Sequence, residues 1–185
     1  MARQNLCVNP ACGADATGWL GGAAPVTGLS GFPVTTGARY TSGTFQQTPT
    51  GAVTAGVTYT ASVYVRVASL GDAGNTLYFG FTRSAGGDVF PFTVGFDLLA
   101  DTVTRLDISG VAPALATGAY LVLDGTNASV STIDVTACLI EPGATLNAYA
   151  DGDTAGWAWQ GVADLSASMA GVIPDGLSVS ITFGA

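Results

Sequence analysis

The residues suited to chemistry are few. Asp151-Gly152-Asp153-Thr154-Ala155-Gly156 places two carboxylates at i and i+2 around a glycine turn, which is how a calcium loop begins. It fails as an EF-hand, because Ala155 stands at the fifth position and Val162 at the twelfth, where a bidentate Glu is needed. Two Asp this close in sequence also make a poor glycosidase pair, whose carboxyl groups must flank a bond. Asp151 and Asp153 are therefore the candidate calcium ligands, with a solvated turn as the plainer reading. Cys7 and Cys12 flank Val8-Asn9-Pro10-Ala11, a turn-prone spacer that lets them approach as a disulfide. Cys138 falls in an apolar strand pattern, and three reduced thiols are the plainer reading. Three Cys without His give no support for zinc.

What is missing excludes more. The five basic residues are all Arg, against thirteen acidic ones, and there is no Lys or His. That removes Ser-His and Cys-His nucleophiles, imidazole bases, His-ligated zinc, Schiff-base lysines and the phosphate-loop lysine. No catalytic residue and no obligatory cofactor is expected, and the chain reads as a non-enzyme. A net charge of −8 with only 10% charged residues leaves no footprint for nucleic acid and no polybasic membrane patch. Mean hydropathy is +0.44, but the most apolar stretch, Leu106 to Leu123, contains Asp107 and Pro113 and is no membrane helix. Met1-Ala2-Arg3-Gln4-Asn5-Leu6 lacks an apolar signal core, so the expectation is a protein made in the cytoplasm that leaves it, if at all, without secretion.

The elements that must position these residues are strands. With 185 residues, one domain is expected. Gly is abundant at 26 residues, and good helix formers other than Ala and Leu are scarce. From Val57 to Val67, Val57, Tyr59, Ala61, Val63, Val65 and Val67 take one face and Thr58, Thr60, Ser62, Tyr64 and Arg66 the other. Asn75 to Arg83 repeats this with Leu77, Phe79 and Phe81 against Thr76, Tyr78, Gly80 and Thr82. The turn-rich Gly71-Asp72-Ala73-Gly74 between them predicts a hairpin. Further strands are predicted at Val89 to Asp97, Val103 to Ile108, Ala119 to Asp124, Ser131 to Ile140 and Leu177 to Phe183. Many short strands with regular punctuation indicate an all-β antiparallel sandwich or barrel. The expected division is a domain over residues 1–160 and a C-terminal arm over 161–185.

Four stretches carry a resemblance. Asn5-Leu6-Cys7-Val8-Asn9-Pro10 followed by Gly18-Trp19 resembles the opening of jelly-roll domains related to carbohydrate-binding modules, although Cys12 and Gly13 stand where those often have Phe-Glu. Val57 to Arg66 is similar to their central strand, a Tyr-x-x-Ser-x-Tyr-x-Arg pattern. Ile133 to Gly143, then Ala148 to Asp153 and Trp159-Gln160-Gly161, resembles the closing segment of such domains in minor tail and other virion proteins of tailed bacteriophages. The resemblance spans roughly residues 5 to 168 and implies a jelly-roll β-sandwich.

It also implies a function. The leading expectation is a non-enzymatic virion structural protein of the minor tail or capsid decoration type, attached to other virion proteins and stabilising or displaying on the particle. Beginning at Met1, the domain is expected to stand alone in several copies, as a homo-oligomer, a trimer by common virion symmetry. The alternative is a module that binds a cell-surface glycan. In sugar-binding jelly rolls aromatic rings stack on pyranoses while polar side chains bond the hydroxyls, and Tyr64, Arg66 and Tyr78 share the solvent-side register of two strands expected to be adjacent. Trp157 joins them as a candidate, whereas Trp19 and Trp159 read as packing anchors. The related domains often hold a structural calcium, but the N-terminal Glu that would match one ligand is missing. Leu177, Val179, Ile181 and Phe183 form one face of a terminal strand expected to dock on another copy or another virion protein.

Overall fold

A computed structural model of the chain describes residues 3–13, 15–41, 45–50, 53–67, 75–124, 132–161, 163 and 166–171. Among them are thirteen strands and no helix: β1 (Gln4–Asn5), β2 (Trp19–Leu20), β3 (Ala24–Thr27), β4 (Thr36–Tyr40), β5 (Phe45–Gln47), β6 (Thr58–Val67), β7 (Asn75–Arg83), β8 (Val89–Phe96), β9 (Thr104–Val111), β10 (Ala116–Asp124), β11 (Ile133–Pro142), β12 (Trp157–Trp159) and β13 (Ser168–Ala170). Two five-stranded antiparallel sheets face each other, ordered β2-β5-β10-β7-β8 and β3-β4-β11-β6-β9. The expected all-β antiparallel sandwich is the observed fold.

The core lies where the two alternating patterns meet. Leu77, Phe79 and Phe81 of β7 and Leu121 and Leu123 of β10 line the first sheet's inner face. Tyr59, Ala61, Val63 and Val65 of β6 with Val135 and Ile140 of β11 line the second. Burying each large apolar side chain contributes about 1.5–3 kcal/mol. Trp19 is buried as expected, its ring 5.7 Å from Phe45 and its Nε1 donating to Asn9 O at 2.7 Å. Val57 precedes the strand and is 37% exposed, so the buried face starts at Tyr59.

The predicted hairpin does not form. β6 pairs with β9 and β11, and β7 pairs with β8 and β10 in the facing sheet. Both strands bury one apolar face, and burying two such faces against each other satisfies the pattern as well as placing them side by side.

β11 is buried along almost its whole length. It pairs with β4 only over Ile133–Val135 and then bulges between Thr136 and Leu139, with Ala137 at φ 54°, a left-handed conformation uncommon for alanine. Where β4 ends, the N-terminal segment takes its place: Leu6 N donates to Ile140 O and Cys138 N donates to Pro10 O, both at 2.9 Å. A third sheet, β1-β13-β12, covers this end, with Asn5 opposite Ser168 and Ser168 opposite Trp159. The division expected at residue 160 therefore falls inside this small sheet. Strand pairing runs on to Ala170 because β13 supplies the partner for both β1 and β12.

Candidate carbohydrate-binding face

The outer face of the first sheet carries an aromatic platform that a bulge creates. Phe79 pairs with Phe92 and Phe81 with Val89, so Phe90 and Pro91 stand opposite Gly80 alone. The extra residue turns Phe90 outward, 45% exposed, while Phe92 packs inward against the core. The Phe90 ring makes edge contacts with Tyr78 at 5.9 Å and 79° and with Tyr120 at 5.6 Å and 83°. Gly80 is required beneath them: a Cβ there would lie 2.8 Å from the Phe90 ring and 2.9 Å from the Tyr120 ring. Tyr120 is buried and donates to Asp88 Oδ2 at 2.8 Å, and burial first, then that bond, pushes its phenol pKa up, keeping it a donor. Tyr78, Phe90, Val122 and Asp124 bound an open hollow of about 140 Å³. Aromatic carbon around such a hollow is what receives the C–H face of a sugar.

Tyr64 and Arg66 lie on the opposite outer face, so the structure separates them from Tyr78. The physical reason is the sheet assignment of β6 and β7. Across three neighbouring strands Arg39, Asp134 and Arg66 stand in one row. Arg39 Nε donates to Asp134 Oδ1 at 2.6 Å, and Arg39 Nη2 and Arg66 Nη2 donate to Oδ2 at 3.0 and 2.9 Å. Burial would raise the Asp134 pKa, but these two guanidiniums outweigh it and hold the carboxyl below its ordinary value. Arg66 also lies over Phe32 at 5.1 Å and donates to Ser30 O. Arg105 covers Tyr64 at 5.3 Å and donates to Ser62 Oγ and Asn147 O at 2.8 and 2.6 Å. Here the polar groups bond one another.

The remaining candidates brace the end of the sandwich. Trp157 lies under Arg3 at 4.9 Å, and Arg3 pairs with the buried Glu141 at 2.7 Å. Trp159, expected in the core, is only half-buried: it packs over Gly152, where a Cβ would strike its indole, and donates to Asp153 Oδ1 at 3.0 Å. Asp151 is buried; its Oδ1 accepts from Asp153 N and Thr154 Oγ1 at 3.1 Å each, and its Oδ2 from Tyr149 at 2.5 Å. Burial, then the Asp151 charge, pushes the Tyr149 pKa well up. Among the described residues no group of three His, Cys, Asp or Glu gathers around a metal position.

Cys7 and Cys12 are not brought together, and all three cysteines are buried thiols. Cys7 Sγ lies 3.1 Å from Cys138 Sγ, while Cys12 Sγ donates to Asp15 O at 2.8 Å, because residues 5–10 run along β11 and carry Cys7 onto it. Leu177, Val179, Ile181 and Phe183 lie outside the described residues.

Sequence reasoning missed Phe90 and Tyr120. A strict alternation puts Phe90 on the same face as Phe92, and only the bulge separates them. Two signals for it were present, a glycine inside one strand at Gly80 and a proline inside the next at Pro91.

No protein-family model matches the chain, and no curated protein matches it. Solved structures do. A tailspike protein 4 enzymatically active domain of bacteriophage CBA120 superposes with a TM-score of 0.60 at 12% identity, over 75% of this chain and 21% of that one, so this chain spans about a fifth of that fragment. The CBM22-1 xylan-binding domain of Paenibacillus barcinonensis Xyn10C gives 0.54 at 13% identity, over 77% of this chain and 94% of that domain. A Stig cyclase of Fischerella sp. TAU gives 0.57 at 11% identity, over 79% and 100%. The chain shares the antiparallel β-sandwich fold of these structures, carbohydrate-binding modules among them. Identities this low establish the fold, and within it non-catalytic binding domains recur beside a few enzyme chains.

Proposed function

We propose that the protein is a non-enzymatic glycan-binding module whose sugar site is the Tyr78–Phe90 platform. The neighbouring xylan-binding folds favour this reading over a purely structural virion role. The observation that carries it is the exposed Phe90 beside Tyr78, Val122 and Asp124 around an open hollow. Aromatic stacking on a sugar needs an uncovered ring face, and Tyr64 and Trp157 each carry a guanidinium. A net charge of −8, with Asp124 among the residues that line the hollow, favours neutral over acidic polysaccharides.

Calorimetric titration against neutral cell-wall and plant polysaccharides tests this. Phe90→Ala should weaken binding at least about tenfold, about 1.4 kcal/mol, while Tyr64→Ala should leave it within about twofold. Equal losses at both positions would move the site, and no binding by the wild-type chain would sink the proposal.

The setting we propose is the surface of a bacteriophage particle, on the motifs from Asn5 to Trp19 and Ile133 to Gly161. Quantitative mass spectrometry of purified particles should find the chain there; its absence would leave the glycan reading without that setting.

A further inference from the structure

Cys7 and Cys138 are brought together by a small clamp. Leu6 N donates to Ile140 O and Cys138 N to Pro10 O, so hydrogen bonds bracket the pair on both sides. Asn5 reaches across: its Nδ2 donates to Cys138 O at 3.0 Å, and its Oδ1 accepts from Cys7 N at 3.0 Å and Ile140 N at 3.3 Å. Both thiols are fully buried with the sulfurs 3.1 Å apart. A disulfide bond is about 2.05 Å long, so closure needs a sulfur shift of about an ångström. Cys12 is engaged elsewhere, its Sγ donating to Asp15 O.

We propose that Cys7 and Cys138 form the chain's disulfide under oxidising conditions, fastening the N-terminal segment to β11. The bridge joins positions 131 residues apart, and closing so long a loop restricts the unfolded chain strongly. A small-molecule disulfide such as glutathione disulfide is the oxidant. One cysteine thiolate attacks it and releases one glutathione thiol; the second thiolate then displaces the other glutathione. The two cysteines lose two protons and two electrons, and one glutathione disulfide becomes two thiols. Burial raises the Cys7 pKa well above its ordinary value, and burial first, then Asp15, pushes that of Cys12 up to about 11. The exchange therefore takes place while residues 3–12 are undocked, and the docked segment afterwards shields the bond.

Unfolding the full chain in urea and refolding it with or without glutathione disulfide tests this. The oxidised product should lose about 2 Da, show one thiol on titration in denaturant instead of three, and map its bridge to Cys7 and Cys138. Its melting temperature should rise by about 5–15 °C over the reduced chain. Cys12→Ser should bridge equally well. Three titratable thiols after oxidative refolding, a bridge that includes Cys12, or a bridge that does not raise the melting temperature would each overturn the proposal.

Discussion

The two outer faces of the sandwich use aromatic residues in opposite ways. On the second sheet, Phe32, Tyr64 and the neighbouring Trp157 each lie against a guanidinium at 4.9–5.3 Å, and those guanidiniums also bond Asp134, Ser62, Glu141 and backbone oxygens. On the first, Tyr78, Phe90 and Tyr120 meet edge to face and leave Phe90 open beside a hollow. A polar side chain completed by its neighbours stabilises the domain; a ring left uncovered is available to a ligand. An aromatic in the solvent register therefore marks a binding site only when nothing in the fold already covers it.

The largest test of this contrast removes the centre of the charged face. Asp134→Ala leaves Arg39 and Arg66 without their carboxylate and should cost about 2–3 kcal/mol in urea unfolding, below the usual range for buried pairs because Arg39 is 43% exposed. Sugar affinity should not change, and a loss of both would mean that the faces are coupled. Next, Gly80→Ala pushes a methyl group into the Phe90 and Tyr120 rings. It should cost about 1–2 kcal/mol of stability and weaken sugar binding together, since overpacking displaces the platform. An unchanged affinity would move the site off these rings.

The smallest effect is acid sensitivity. The folded Asp134 has a pKa below its ordinary value, so its contribution is present in full above about pH 3.9 and is lost as pH falls through the folded value. Wild type should lose stability more steeply than Asp134→Ala as pH falls below about 3.9, and parallel curves would remove the triad from the charged face's stabilising elements.

Much of the fold was legible in the residues. The period-two run of β6 marked its buried face from Tyr59 to Val67 and that of β7 repeated it, while β10 and β11, buried on both faces, read only as further strands. Strands of two to four residues such as β2, β3, β5, β12 and β13 are too short to show a period, so they were invisible. The candidate site was only partly legible. Tyr78 was found by its register, while Phe90 was hidden by a bulge that shifts half of β8 by one residue, and Tyr64 and Arg66 were grouped with Tyr78 through a strand adjacency that does not exist.

By itself the sequence determined an all-β chain, the inward faces of β6 and β7, and a chemistry without imidazole or amine side chains, because these depend on composition and on the pleat of a single strand. The tertiary structure alone decided that β6 and β7 face each other across the core, that Cys7 meets Cys138, and that Phe90 stands beside Tyr78. Those pairings follow from which complete apolar faces can be buried together, a property of whole sheets that no local spacing encodes.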